Sequence, residues 1–234
     1  MWLDQNNTIA LKLPANGVCD NPAKISPPAK RDHALQLSRR IDWRFLLPEP
    51  ALRRVAYLGP DRGTLLPALR EFCDSVEIIS SASCAKNNSP LCNLAVVCSR
   101  SLADLARAHA CLAAGGYLYW EVGRGSRHGL SRTMKKHAGR NGELRGTRRY
   151  FRDCIAALEG LGFGEVEINW HRPNFAACLE IIPLDNQHAL DYVFSRLRSS
   201  FAGRLKFVAG RCILKTGLLF CLVPGVSLIA RKIT

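Results

Sequence analysis

The stretch Val55-Ala56-Tyr57-Leu58-Gly59-Pro60-Asp61-Arg62-Gly63-Thr64 decides how the rest of the chain is read. Four apolar residues make a short buried strand, and a Gly-x-Asp-x-Gly turn follows. From Thr64 to Phe72, leucines at 65, 66 and 69 fall at helical spacing. Gly59 lets the chain leave the strand sharply, and Gly63 lets a helix start close to a ligand with no Cβ in the way. The first turn of that helix offers backbone amides that no helical carbonyl accepts. Strand, glycine turn and helix make one βα unit, and a unit of this kind binds ligands at the carboxyl end of its strand.

Working downstream, the alternation repeats. Val76–Ile79 and Leu94–Cys98 read as strands, Leu102–Ala113 as a helix stopped at Gly115-Gly116, and Tyr117–Val122 as the next strand. A helix from about Tyr150 to Leu161 ends at Gly162. Val166–Trp170 is a strand, His188–Arg198 a helix and Val226–Ala230 the last strand. Short apolar runs alternating with helices predict a parallel sheet covered on both faces, an α/β doubly wound, mostly parallel fold. Upstream, residues 1 to about 32 are polar and punctuated by Pro14, Gly17, Pro22, Pro27 and Pro28. His33–Ile41 predicts a short helix, and Asp42–Pro48 a docking segment. The expected organisation is an irregular arm over 1–50 and an α/β domain over 51–234 with an insertion at 172–225.

The chain has 234 residues, 47% of them hydrophobic, a size that suits one well-buried domain and excludes a disordered or fibrous class. The longest uncharged apolar stretch, Gly217–Ala230, is 14 residues long and contains Pro224, too short to span a bilayer at roughly 20 residues. The start, Met-Trp-Leu-Asp-Gln-Asn-Asn, has no basic and apolar succession of a secretory signal. The 10 cysteines contain no Cys-x-x-Cys pair and no histidine at ligand spacing, so they read as reduced core thiols of a cytoplasmic protein with no metal site.

The net charge of +14 is concentrated in two segments. Gly123–Arg149 holds nine Lys/Arg and one acid, and Phe194–Thr234 holds eight and none, a net of +8 each; the remainder, 16 bases and 18 acids, is at −2. Such segments neutralise phosphates, anionic head groups or a charged substrate. Residues 123–149 contain no aromatic, which disfavours a single-strand nucleic-acid platform. Lys206–Pro224 is apolar and framed by bases; it reads either as a helical lid packed on the sheet or as a segment lying on an anionic membrane surface.

The glycine turn, a second strand about 20 residues later, the fourth-strand segment Asn93–Cys98, Leu112-Ala113-Ala114-Gly115-Gly116-Tyr117-Leu118 before the fifth strand and Leu161-Gly162-Phe163 before the sixth resemble the class I S-adenosylmethionine-dependent methyltransferases. The resemblance covers about residues 52–170 and the final strand, and implies a Rossmann-like methyltransferase fold with an inserted C-terminal helical lid. It implies that S-adenosylmethionine meets the backbone at Gly59, Pro60, Asp61 and Gly63, that its ribose end meets Ser80 or Ser81, and that Ser99, Ser101 and Leu102 line the far edge. Tyr57 stands where the family has an acid, Asp61 where it has a glycine, and Ser80 where a carboxylate ends the second strand; a serine makes one hydrogen bond where a carboxylate accepts two. Gly-x-x-x-x-Gly-Lys-Ser/Thr is absent, against a nucleotide triphosphatase.

Glu121 and His171 end the fifth and sixth strands at the ligand edge and are the candidate catalytic residues, His171 as a general base of ordinary pKa. Trp120 and Trp170 read as acceptor-pocket walls or as core. The expected function is methyl transfer to a small or lipid-linked, anionic metabolite or glycan intermediate. The alternatives are an inactive methyltransferase-like binding protein at a membrane surface or partner, and an RNA methyltransferase.

Overall fold

A computed structural model describes residues 28–60, 63–80, 92–99, 101–123, 145–195, 223 and 225–233. Helix α1 (Pro28–Arg40) and a 3₁₀ turn (Asp42–Leu46) precede the first βα unit, β1 (Arg54–Leu58) and α2 (Leu65–Phe72). Then come β2 (Ser75–Ile78), β3 (Cys92–Val97), α3 (Leu102–Cys111), β4 (Leu112–Gly123), α4 (Arg145–Gly160), β5 (Phe163–Arg172), β6 (Glu180–Pro183), α5 (Gln187–Ser195) and β7 (Gly225–Lys232).

The strands form one seven-stranded sheet in the order β2-β1-β3-β4-β7-β5-β6. β1 to β4 pair in parallel; β7 runs against both β4 and β5, and β6 runs against β5. Five of seven strands therefore point one way, and the mostly parallel, doubly wound expectation holds. From β1 the chain winds outward to β2 and then returns to β3 on the other side, so α2 and α3 cover opposite faces, as right-handed crossovers require. Leu65, Leu66 and Leu69 of α2 share one core with Tyr57, Val96 and Tyr119, while Leu105 and Ala108 of α3 share the other with Ala56, Val97 and Trp120.

The helix expected at His33–Ile41 is present and starts earlier, at Pro28, and the Asp42–Pro48 segment docks on the sheet as expected: Ile41, Trp43 and Leu47 are buried in the core on the α2 face, and the Trp43 ring stacks on Tyr119 at 3.8 Å between centroids. Two expectations are corrected. Gly115-Gly116 does not stop a helix. α3 ends at Cys111, and the glycines form a bulge inside β4, where Cys92 pairs with Leu112 and Leu94 with Tyr117. Gly115 takes φ +74°, a left-handed conformation that suits glycine. β5 runs beyond Val166–Trp170 to Phe163–Arg172 through another bulge, between Gly164 and Glu167, where Glu165 takes φ 51°. The insertion opens with the edge strand β6, which the sequence did not announce, and continues into α5, where a helix is expected over His188–Arg198. The lid expected over Lys206–Pro224 lies outside the described residues, apart from Val223, which is buried.

Candidate functional site

In the order β2-β1-β3, the chain direction across the sheet reverses between β1 and β3, and an open α/β sheet leaves a crevice outside the carboxyl ends of such a pair. Gly59, Pro60 and Gly63 follow β1 at that point, and Ser99 and Ser101 follow β3. Gly59 is held by packing: a Cβ there would lie 2.9 Å from Cys98 Cβ. Gly63 has φ +87°, and no described atom comes within 4 Å of where its Cβ would be. Thr64 makes no side-chain cap on α2, so the Leu65 and Leu66 amides are uncapped; Pro67 has no amide to offer, and the Ala68 amide already bonds Thr64 O. Pro60 is exposed, and its carbonyl accepts a hydrogen bond from the Tyr57 hydroxyl at 2.9 Å. Tyr57, in the place of the family's acid, thus braces the turn from within the core.

Ser80 follows β2 and is exposed, while Asp61 and Ser81 lie outside the described residues. The Ser99 hydroxyl is engaged with Asp104, which also pairs with Arg107, and the Ser99 carbonyl accepts from Trp120 Nε1 at 2.8 Å. Ser101 begins α3 and is exposed. Trp120 is fully buried in the α3-side core and is no pocket wall; Trp170 is half-buried on the same face. A cleft of about 350 Å³ beside Arg54, Asn93 and Gly115-Gly116 is at the amino edge, the wrong end of the strands for this crevice.

Glu121 and His171 are brought together on the α1 and α2 face of the carboxyl edge. Glu121 pairs across β7 with Ser227, and Asn169 of β5 pairs with Ser227 from the other side, so the three form a row over β4, β7 and β5. Arg40 reaches from the end of α1 and grips Glu121 with both terminal nitrogens, Nη2 at 2.7 Å from Oε2 and Nη1 at 2.6 Å from Oε1. The Tyr119 hydroxyl donates to Glu121 Oε1 at 3.1 Å, and the Cys98 thiol approaches Oε2 at 3.8 Å. His171 Nε2 shares a hydrogen bond with Ser227 Oγ at 2.8 Å, and its Nδ1 lies 3.6 Å from Cys178 Sγ. Phe175 covers the group, its ring 4.7 Å from that of His171 and 5.5 Å from the Arg40 guanidinium.

Burial dominates the protonation states here. His171 is 1% exposed, and burial together with the Arg40 charge lowers its pKa to about 3. The general base of ordinary pKa expected from sequence is thus a neutral, enclosed ring. Burial, reinforced by the Glu121 charge, pushes the Cys98 thiol up to about 12 and raises Tyr119 well above the ordinary phenol. Arg40, Tyr119, Asn169 and Ser227 were missed as members of the cluster. The available signal was alternation: in Ile168-Asn169-Trp170-His171 every second residue is polar and faces inward.

With this geometry in view, likenesses of fold can be stated. The chain is similar to an S-adenosylmethionine-dependent methyltransferase from Archaeoglobus fulgidus, at 16% identity over 86% of this chain and 94% of that chain, TM-score 0.44. It is similar to another from Thermotoga maritima, at 14% identity over 87% and 94%, TM-score 0.40. A third, from Geobacter sulfurreducens and in complex with S-adenosylhomocysteine, shares 10% identity over 84% and 90%, TM-score 0.36. No family model matches the chain, and no curated protein matches it. The sheet itself, ordered β2-β1-β3-β4-β7-β5-β6 with β7 antiparallel to both its neighbours, is the mostly parallel, doubly wound arrangement expected from the sequence. The glycine turn follows β1, Gly115-Gly116 lies inside β4, and Gly162-Phe163 opens β5. Among the described residues no helix is long and apolar enough to cross a membrane.

Proposed function

We propose that the protein binds S-adenosylmethionine at the β1–α2 turn and transfers its methyl group to a small or lipid-linked acceptor of negative charge. The observation that carries this reading is the open glycine turn at the switch in strand order. Left-handed Gly63 precedes a helix whose first amides are uncapped, a cradle that fits a ligand held by backbone donors. Gly59, Pro60 and Gly63 would hold the cofactor's backbone-facing side, with Ser80 at the ribose end and Ser99 and Ser101 at the far edge. When bound, S-adenosylmethionine supplies a methyl group on a sulfonium, displaced by an acceptor lone pair while the C–S electrons stay on sulfur and the acceptor proton passes to solvent. Alignment is the chain's main contribution to such a displacement. Glu121 and His171, tied to Arg40 and Ser227, act as positioning residues and not as proton carriers.

The anionic acceptor is supported by where the charge is attached. The first basic segment leaves the sheet at Gly123, and six of the eight bases of the second, Arg196 to Lys215, precede its return at Gly225; Gly123 and Gly225 are paired neighbours at the carboxyl edge. Titration calorimetry with S-adenosylmethionine and S-adenosylhomocysteine tests the reading. Saturable binding of both, lost in Gly63→Val, is expected; a folded protein that binds neither overturns it. An inactive binding protein on the same scaffold is the second reading, favoured by Ser80 in place of a carboxylate. It predicts binding of anionic vesicles without turnover of bound cofactor.

A further inference from the structure

Asn169 is 1% exposed, and among the described residues neither its amide nitrogen nor its amide oxygen has a hydrogen-bond partner. Leaving both functions of a buried amide unmet is unfavourable, so the group is poised to take a partner from a ligand. The amide belongs to the buried row of Glu121, Ser227 and Asn169, against which Tyr119 and His171 also pack. One wall of this cluster is carried by an exposed turn. Phe175 sits on a turn whose residues Pro173, Asn174, Ala176 and Ala177 are exposed, held by an Ala177 amide hydrogen bond to Asn174 Oδ1 at 2.9 Å.

The cluster offers no unpaired cation to an ionised ligand. Arg40 is matched by Glu121, His171 is neutral, and Tyr119 keeps its proton. An ionised ligand group would be desolvated here without a counter-charge, whereas a neutral group carrying one donor and one acceptor satisfies the amide on both sides. The cluster also adjoins the glycine turn: Gly59 packs on Cys98, and the Cys98 thiol approaches Glu121.

We propose that the Asn169, Ser227 and Glu121 row beneath Phe175 is a binding site for an uncharged hydrogen-bonding group, a carboxamide or a hydroxyl, admitted when the 173–177 turn lifts the phenyl ring. On the reading of methyl transfer given above, this group is the inner end of the acceptor, whose charged end lies toward the basic segments. The site itself stands on the orphaned amide alone.

Acetamide and acetate, equal in shape and different in charge, are the probes. In ¹H–¹⁵N spectra of the full chain, acetamide should shift the Asn169 side-chain signals and the Ser227 and His171 amides saturably, and acetate should not. Phe175→Ala should saturate at lower acetamide concentration, and Asn169→Leu should weaken the response roughly tenfold or more while raising Tm in the absence of probe. Absence of saturable shifts at these residues with wild-type protein overturns the site whatever the variants do. An equal response to acetate overturns the neutral-group chemistry. Cofactor calorimetry fails independently. If S-adenosylhomocysteine does not bind but acetamide does, methyl transfer falls and the site remains; the reverse removes the site and leaves the cofactor reading intact.

Discussion

At the β1 and β3 ends of the carboxyl edge, the exposed residues Pro60, Gly63 and Ser101 present backbone and small side chains, whereas at the β4, β7 and β5 ends Arg40, Glu121, His171 and Phe175 fill the space with side chains. The difference follows from what each half must hold. A ligand recognised through backbone amides needs glycine and open approach. A half closed by an N-terminal helix must instead satisfy its polar groups internally, and it does so with an ion pair and hydrogen bonds. Asn169, with both amide atoms unmet, is where that internal satisfaction is least complete among the described residues.

The comparison breaks most severely if the closed half loses one charge. In Glu121→Ala the Arg40 guanidinium stays buried without its partner, and a cost of about 3–5 kcal/mol in urea unfolding is expected. Arg40→Met with Glu121→Leu removes both charges and should cost less than the single change. A double variant as unstable as Glu121→Ala would mean that packing, not charge, holds α1 to the sheet.

Next in size is the pH response of His171. The unfolded side chain titrates at its ordinary value of 6.5 and the folded one at about 3, so the unfolded chain binds the extra proton between these values. The contribution is therefore fully present above 6.5 and is lost as pH falls through the window toward 3, with a slope of about 1.4 kcal/mol per pH unit. Stability measured from pH 7 to pH 4 should fall more steeply in wild type than in His171→Gln. Parallel curves would show that the ring is protonated in the folded protein.

The open half was legible in the sequence because its determinants are local. Val55–Thr64 contains the strand, both glycines and the helix start within ten residues, and the apolar runs of β3, β4 and β7 declare buried strands in the same way. The closed half is non-local. Arg40 and Glu121 are 81 positions apart, and no periodicity tells a buried acid which base it meets. Glycine signals are also degenerate: Gly115-Gly116 fits a helix stop as well as the strand bulge it forms, and only pairing with β3 separates the two. β6 escaped because Glu180-Ile181-Ile182-Pro183 is too short to show alternation and ends in a proline, which is tolerated at a sheet edge. Trp43 lies in the Asp42–Pro48 docking segment, but that it docks onto Tyr119 is fixed only in three dimensions.

Smaller effects sharpen the open half itself, where the two glycines differ in why they are needed. Gly59→Ala drives a Cβ to 2.9 Å from Cys98 Cβ, a rigid neighbour, and overpacking of this kind costs roughly 1–3 kcal/mol. Cys98→Ser, which keeps the Cβ, should not relieve it.

Gly63→Ala meets no described atom within 4 Å, so among the described residues its cost is conformational, roughly 1–2 kcal/mol for placing an L-residue at φ +87°. Because the methyl group projects into open space at the crevice, the same change should weaken cofactor binding by more than its stability loss explains, whereas Gly59→Ala should lower stability first. Paired measurements of Tm and of S-adenosylhomocysteine affinity on both variants separate these cases. If Gly63→Ala lowers Tm and leaves affinity unchanged, the ligand does not lie over this residue, and the role of the turn reduces to its backbone shape.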